Sequence, residues 1–273
     1  MNIIGDVAGE YMALMRLVKR MQKDDKDGFI FVGDLVDRGK DSLKVVEWVR
    51  KNAKAVMGNH EHMMIDYHDA KNLYGNIDQN AINQYPWMSE YLGKHWWIGQ
   101  GGAETLKSYG KDSDKLKEHA EYLKSLPVVT QHNDYIISHA PLLRNIKHED
   151  IDSISDVPAN QLDEEFVRSQ TWNRNPSRPI KNKIQIHGHN SKIAVDTTAI
   201  AICIDSSSEG YVNGFSTITD KMYREPHDDM EQYNEENDKM LNHWNDKIKK
   251  AITRHRQGNY SSPMRISRLD NGA

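Results

Sequence analysis

Five short stretches of the sequence end apolar runs with side chains that can bind metal ions. They are GDVAG, GDLVDRG, GNHE, SHAP and HGHN, with the candidate ligands Asp6, Asp34, Asn59, His139 and His189. Carboxylates suit hard divalent cations and imidazoles suit transition metals, so the mixed set favours manganese, iron, nickel or zinc over calcium. We expect two divalent ions, with manganese preferred. Two neighbouring ions need a bridging ligand, and the carboxylate of Asp34 can supply it.

The elements that must position these residues follow from hydrophobic patterning. The runs NIIGD, FIFVGD and KAVMGN each close with glycine and a polar residue, as expected of buried strands. Helical patterns lie between them, over Tyr11–Met21 and residues 42–51. Alternating strands and helices predict an α/β unit with parallel strands. Ligands bind beyond the carboxyl ends of such strands, so the polar residues should share one rim.

The rest of the chain divides into three further regions. Residues 62–126 are rich in Trp, Tyr, Asn and His, and we interpret them as a helical insertion whose tryptophans (Trp87, Trp96 and Trp97) pack internally rather than line a substrate groove. Residues 128–220 contain a second set of strand patterns, and residues 228–255 a charged, weakly amphipathic helix. We therefore predict one domain over residues 1–220, followed by a helical extension and polar tail over residues 221–273.

Composition excludes several classes of protein. The formal net charge of −4 over 273 residues gives no general attraction to nucleic acid. No apolar run is long enough to span a bilayer, and the first residues lack a signal-peptide pattern. The single cysteine, Cys203, cannot form an internal disulfide, which fits a reducing cytoplasm. We expect no membrane partner, and the sequence leaves the oligomeric state open.

The order of these stretches resembles a known family. GDLVDRG, GNHE, SHAP, WNR and HGHN, followed by IDSSSEGYVNGFSTI, are similar to the calcineurin-like metallophosphoesterases. The compact bacterial and phage branch of the phosphoprotein phosphatases, which includes the lambda phage type, is the most similar, because it also carries a glycine-rich stretch like GQGGAETLKSY. The resemblance covers about residues 1–220. It implies an α/β fold of the four-layer type: a central β-sandwich of two mixed sheets flanked by helices.

The resemblance also implies ligands for two metal ions. Asp6 would bind the first ion, and Asp34 would bridge both. Asn59, His139 and His189 would bind the second ion. A water between two such ions is acidified enough to attack phosphorus directly, without a covalent enzyme intermediate.

Four further residues receive roles in substrate binding and catalysis. Arg38 and Arg174 would hold phosphate oxygens, because the planar guanidinium fork matches them and stays charged. His60 would donate a proton to the leaving group, and Asp37 would orient His60. Asn59 and His60 would also contact the substrate. Asp37 and Arg38 could instead form a local helix cap. Their place within GDLVDRG favours the catalytic interpretation.

One position departs from the family pattern. The first motif of the family has a histidine ligand where this chain has Ala8, which offers no donor. Three interpretations follow: an engineered, inactivated variant; a natural enzyme with low activity or a single metal; or a non-catalytic phosphate binder. The retention of every other motif residue favours the first.

The sequence leaves the substrate open among several phosphate compounds. Hydrolysis of phosphomonoesters, with phosphoserine, phosphothreonine or phosphotyrosine in a protein, is the first hypothesis. The alternatives are diadenosine polyphosphates and phosphorylated nucleic-acid ends, and the near-neutral charge argues against the last. A binder that holds a phosphorylated partner or nucleotide without hydrolysing it is the hypothesis from another class.

Overall fold

Two five-stranded sheets form the framework of the protein in a computed structural model that describes residues 1–74, 97–196, 200–230 and 235–257. The strands are β1 Asn2–Ile4, β2 Phe29–Phe31, β3 Lys54–Ala55, β4 Val129–His132, β5 Tyr135–Ser138, β6 Ile184–His187, β7 Ala194–Asp196, β8 Ala201–Cys203, β9 Tyr211–Ser216 and β10 Lys221–Pro226. The described helices are α1 Tyr11–Met21, α2 Ser42–Asn52, α3 Asn59–Tyr74, α4 Ala103–Tyr109, α5 Ser113–Lys124, α6 Ile151–Ile154, α7 Glu164–Thr171 and α8 Glu235–Arg256. A π-helical turn at Ile98–Gly102 leads into α4.

Both sheets mix parallel and antiparallel pairs. The first has the order β10-β9-β1-β2-β3, with β1, β2 and β3 parallel and β9 antiparallel to β1. The second has the order β4-β5-β6-β8-β7, with β5, β6 and β8 parallel. Helices flank the sheets, so the predicted α/β class with two mixed sheets is confirmed.

The short central strands are buried on both faces, which explains their continuous apolar sequences. Along β1, Ile3 faces the interior between the sheets and Ile4 faces the helical layer. Along β2, Ile30 and Phe31 divide in the same way. The alternation follows from the two-residue period of a strand. The strands therefore have little freedom to slip, which fixes where their carboxyl ends lie.

The predicted insertion lies between β3 and β4, where the described residues form α3, α4 and α5. Residues 75–96, which include Trp87 and Trp96, lie outside the described residues. Trp97 is buried, at 1% exposed. The predicted polar tail falls mostly on residues 258–273, which are also outside the described residues.

Helix α8 covers the edges of both sheets. It contacts β10, an edge strand of the first sheet, and β7, an edge strand of the second. Its buried residues Leu241, Ile248 and Ile252 join the core between the sheets, as their spacing predicts. The first sheet includes β10, which lies beyond the predicted domain boundary at residue 220. The division of the chain into a domain and an extension stays a prediction.

Asn245 of α8 connects this helix to the outer edge of β10. The Met222 N–H donates to Asn245 Oδ1 at 2.6 Å, and Asn245 Nδ2 lies 3.5 Å from the Met222 carbonyl oxygen. The amide side chain thus replaces a neighbouring strand and satisfies backbone groups that an unprotected edge would expose.

We predict that Asn245→Ala lowers the free energy of unfolding by about 1–2 kcal/mol, because the partly buried Met222 N–H loses its acceptor. Urea denaturation followed by circular dichroism measures the change. Asn242→Ala, at an exposed position of the same helix, should change stability by less than about 0.5 kcal/mol. Equal effects of the two substitutions would contradict the tethering role of Asn245.

Candidate active site

The loops that follow β1 and β2 are joined by backbone hydrogen bonds. The N–H groups of Val7 and Ala8 donate to the Asp34 carbonyl oxygen at 3.0 and 2.8 Å, and Gly39 N–H donates to the Ala8 carbonyl oxygen at 2.8 Å. Asp6 and Asp34 are both buried. The two parallel strands therefore deliver their carboxylates to one place, as the sequence predicts.

A third loop, between β3 and α3, is joined to the Asp34 loop through Glu61. Its buried carboxylate accepts from the N–H groups of Asp34 and Leu35, both at 2.7 Å, of Gly58 at 2.9 Å and of Val36 at 3.3 Å. A side chain at Gly58 would collide with Asp34 Oδ1. Burial and the Asp34 charge raise the pKa of Glu61 to about 7. Glu61 thus sets the separation between Asp34 and Asn59.

Side-chain donors from the two halves of the chain converge beside Asp34. His139 Nδ1–H donates to the Val32 carbonyl oxygen at 2.9 Å, which leaves Nε2 with its lone pair. That Nε2 lies 2.8 Å from Asn59 Oδ1, 3.2 Å from His189 Nδ1 and 3.3 Å from Asp34 Oδ1. His189 Nδ1 lies 2.9 Å from Asn59 Oδ1. Oxygen and nitrogen donors from four loops therefore face a common point.

Burial leaves these imidazoles neutral, as metal ligands must be. Burial lowers the pKa of His139. Burial, reinforced by the neighbouring His139, lowers the pKa of His189 to about 3.

The donor set fits divalent cations. Ligand atoms of Asp6, Asp34 and His139 lie within 4.8 Å of one another. Asp6 Oδ1 and His189 Nε2 are buried without a hydrogen-bond partner. Burial and the charges of Asp205 and Asp34 raise the pKa of Asp6 well above its usual range. A buried concentration of carboxylates and lone pairs is unfavourable unless positive charge compensates it, and a cation supplies that charge.

The residues predicted to contact phosphate lie next to the residues predicted to bind metal ions. Arg38 and Arg174 are both exposed, and Arg174 Nη1 donates to the His189 carbonyl oxygen at 3.3 Å. His60 lies beneath Arg38, with Nε2 at 3.2 Å from Arg38 Nη2. Arg38 therefore contacts the imidazole of His60, and Arg174 contacts the backbone of His189, so both guanidinium groups adjoin residues of the site.

Asp37 and His60 form a buried pair. His60 Nδ1–H donates to Asp37 Oδ2 at 2.6 Å, and Nε2 then faces the rim. Burial disfavours the imidazolium, but the Asp34 charge and the bond to Asp37 outweigh it and raise the pKa of His60. A histidine held in this way can act as a proton donor near neutral pH.

The site concentrates backbone strain. Asp34, Asp37, Arg38 and His189 have φ angles of 50°, 75°, 63° and 67°, in the left-handed region that residues with a side chain rarely adopt. Ala8 also lies there, with φ of 49°. Asn, Asp and His are enriched in this region, so a histidine at position 8 would suit the backbone.

Sequence reasoning missed two buried acids at the site. The strand-end pattern assigns no role to Glu61, although its place in GNHE could have identified it. Asp205, in the stretch IDSSSEG, accepts from the N–H groups of Ser191 at 2.6 Å and Ser207 at 2.8 Å. Because it closely follows β8, the rule that polar residues closing strands meet at one rim would have found it.

Comparison with known proteins places the chain in a family. The sequence model for calcineurin-like phosphoesterases matches residues 2–193. The chain therefore belongs to the calcineurin-like phosphoesterase family. The family resemblance predicted from the motifs is confirmed, whereas the compact bacterial and phage subtype stays a prediction.

Curated relatives match over short stretches. A symmetrical bis(5'-nucleosyl)-tetraphosphatase of Buchnera aphidicola is 35% identical over 93 residues, which are 33% of this chain and 31% of the relative. Serine/threonine-protein phosphatase 1 of Salmonella typhimurium is 39% identical over 66 residues, 23% of this chain and 31% of the relative. The matched region thus spans about a third of each of these relatives.

A solved structure shares the fold. A crystal structure described as a candidate diadenosine tetraphosphatase superposes with a TM-score of 0.55 at 18% identity, covering 84% of this chain and 94% of the other. Among the residues that the structure describes, no helix is both long and apolar enough to cross a membrane.

We predict that Glu61→Gln lowers the free energy of unfolding by about 2–3 kcal/mol, because the amide NH₂ would face backbone N–H groups that now donate to a carboxylate. Chemical denaturation measures this change. Glu149→Gln, at an exposed position, should lie within about 0.5 kcal/mol of the unsubstituted protein. If Glu61→Gln were as stable as the unsubstituted protein, the proposed role of Glu61 in joining the two loops would be refuted.

We also predict that Mn²⁺ raises the midpoint temperature of thermal unfolding. At a concentration 100 times the dissociation constant, binding stabilises the folded state by about 2.7 kcal/mol. His139→Ala should lose most of this shift, because it removes a donor that faces Asn59 and His189. His148→Ala, at an exposed position, should keep it. Equal Mn²⁺-induced shifts in both variants would count against the site.

Proposed function

We propose that the protein is a metal-dependent phosphohydrolase that cleaves phosphomonoesters, with phosphorylated proteins as its substrate class. The observation that carries the proposal is the convergence of Asn59, His139 and His189 beside Asp34, with His60 Nε2 at 3.8 Å from Asp34 Oδ2 and in contact with Arg38. Donors for cations and donors for phosphate thus share one site. Family membership supports the same chemistry.

The proposed cations have assigned donors. Asp6 and Asp34 would hold the first ion, and Asp34, Asn59, His139 and His189 would hold the second. When bound, the cations would supply positive charge to phosphate oxygens and make a nearby water more acidic. Mixed oxygen and nitrogen donors favour manganese, with iron, zinc or nickel as alternatives.

The protein's own groups then act on the ester. Arg38 and Arg174 hold the phosphate oxygens and stabilise the charge that spreads over them in the transition state. A water oxygen forms a new bond to phosphorus and releases one proton to solvent as the ester P–O bond breaks. His60 Nε2 gives a proton to the departing oxygen, and Asp37 stabilises the imidazolium from the opposite nitrogen. The products are inorganic phosphate and an alcohol or phenol.

A second candidate is symmetrical hydrolysis of dinucleoside tetraphosphates. The local similarity to the tetraphosphatase of Buchnera aphidicola favours it, and the similarity to the Salmonella typhimurium phosphatase favours the phosphoprotein assignment. The net charge of −4 gives no support to nucleic acid as a partner. We also propose that the protein works in the reducing cytoplasm of a bacterium or of a phage-infected cell. The grounds are its single cysteine, which is buried and unpaired, and its predicted subtype.

Three substrates with added manganese separate these functions. The proposal expects release of phosphate from a phosphopeptide and from 4-nitrophenyl phosphate, in preference to cleavage of diadenosine tetraphosphate. Turnover of the dinucleotide alone would replace the first candidate by the second. Binding without turnover of any of them, by the unsubstituted protein and by Ala8→His alike, would identify a non-catalytic phosphate binder.

We predict that Ala8→His increases manganese-dependent phosphatase activity at least about tenfold, because it restores a nitrogen donor beside Asp6 and strengthens charge stabilisation in the transition state. Initial rates on 4-nitrophenyl phosphate measure the gain. Ala194→His adds an imidazole at an exposed position and should leave the rate unchanged. Equal rates for Ala8→His and the unsubstituted protein would contradict the prediction.

A further inference from the structure

A partly buried segment packs against Asp37 and Arg38, which the proposed function places in substrate binding and catalysis. It consists of Trp97, the π-helical turn Ile98–Gly102 and α4. None of its side chains belongs to the metal-type donors described above. The segment nevertheless forms hydrogen bonds with both Asp37 and Arg38.

Two residues of the segment donate hydrogen bonds to the two carboxylate oxygens of Asp37. Trp97 Nε1–H donates to Asp37 Oδ2 at 2.9 Å, and the Thr105 hydroxyl donates to Asp37 Oδ1 at 2.7 Å. The Thr105 oxygen also accepts from the Asp37 N–H at 2.9 Å. Trp97, Thr105 and Asp37 are 1%, 0% and 0% exposed, so water cannot replace these donors.

The same segment holds the backbone of Arg38. Arg38 N–H donates to the Gly101 carbonyl oxygen at 3.2 Å. Gly101 has φ of 116°, and a Cβ there would lie 2.6 Å from Arg38 N. The left-handed conformations of Asp37 and Arg38 are therefore supported from one side by this glycine and from the other by the Thr105 hydroxyl.

We propose that Trp97 and Thr105 are positioning residues for His60. They fix the rotation of the Asp37 carboxylate so that Oδ2 accepts from His60 Nδ1–H, and His60 Nε2 then faces the departing oxygen of the substrate. This inference rests on the proposed role of His60 as the proton donor. Neither Trp97 nor Thr105 contacts the substrate.

The physical reason is the geometry of a buried carboxylate. With Trp97 and Thr105 in place, each oxygen of Asp37 has a fixed donor, and rotation about the Cβ–Cγ bond would break both bonds. Without one donor, a buried lone pair is left unpaired, and the carboxylate can turn to seek another partner. The bond to His60 then weakens, and the imidazole loses its fixed orientation and tautomer.

The test compares two phosphate esters that differ in their need for a proton. Phenyl phosphate releases a weakly acidic phenol and depends on His60, whereas 4-nitrophenyl phosphate releases a much more acidic phenol and depends on it little. We expect Trp97→Phe and Thr105→Val to lower kcat for phenyl phosphate about tenfold or more and to change kcat for 4-nitrophenyl phosphate little. The KM values should change less than kcat, since the side chains of Arg38 and Arg174 that bind phosphate are retained.

Two further variants serve as controls. Thr105→Ser retains the hydroxyl and should restore the rate on phenyl phosphate. Ser108→Ala removes an acceptor from the same segment, the one that receives the Leu43 N–H at 3.0 Å, without a contact to Asp37. It should leave the ratio of the two rates unchanged.

A measurement without turnover completes the test. In the unsubstituted protein, the proton in the short His60–Asp37 bond should give a low-field resonance in the proton NMR spectrum, identified by its loss in Asp37→Asn. Trp97→Phe and Thr105→Val should shift or abolish this resonance, and Ser108→Ala should preserve it.

The outcomes separate the positioning role from the proposed function. Equal losses on both esters with an unchanged resonance, or no change in either measurement, would overturn the positioning role. If neither the unsubstituted protein nor Ala8→His hydrolyses either ester with any divalent metal, the proposed function fails. The resonance then decides the positioning role by itself: a shift in both variants supports it, and an unchanged signal refutes it.

Discussion

Asn59 Oδ1, His139 Nε2 and His189 Nδ1 lie within 3.2 Å of one another inside the protein, and the carboxylate of Asp34 adjoins them. A set of buried oxygen and nitrogen lone pairs that face one another is unfavourable without a shared positive charge. The requirement for such a charge is the constraint on which the rest of the site depends. It explains why these donors come from separate loops that the fold forces together.

The fold meets this constraint by making the loops rigid. Parallel strands buried on both faces bring their carboxyl ends to one rim, and backbone hydrogen bonds join the β1 and β2 loops. Glu61 then joins the third loop to the Asp34 loop by accepting from three backbone N–H groups of that loop, and it also accepts from the N–H of Gly58. Several site residues adopt left-handed conformations, and these cross-loop bonds offset their strain. Helix α8 contacts β10 and β7, an edge strand of each sheet, and helps to keep the strands aligned.

Much of this arrangement could be predicted from the sequence. Apolar runs that close with glycine and a polar residue mark strands and their ends, and this rule predicted the meeting of Asp6, Asp34, Asn59, His139 and His189. Family motifs predicted the class of fold. The sequence did not predict the clamp by Glu61 or the contact of Trp97 with Asp37, because these bonds depend on side-chain rotation and on the packing of a helical segment far along the chain. Local periodicity carries no information about such distant contacts. It also carries none about the strand β10, whose place is set by pairing with β9.

The central claim, that these donors hold divalent cations, is tested most directly by anomalous X-ray scattering from crystals grown with Mn²⁺. The account predicts an anomalous peak within bonding distance of Asp34, His139, Asn59 and His189, with a weaker second peak beside Asp6, where Ala8 supplies no donor. A well-ordered structure that binds manganese elsewhere, with no anomalous peak beside Asp34, would contradict it.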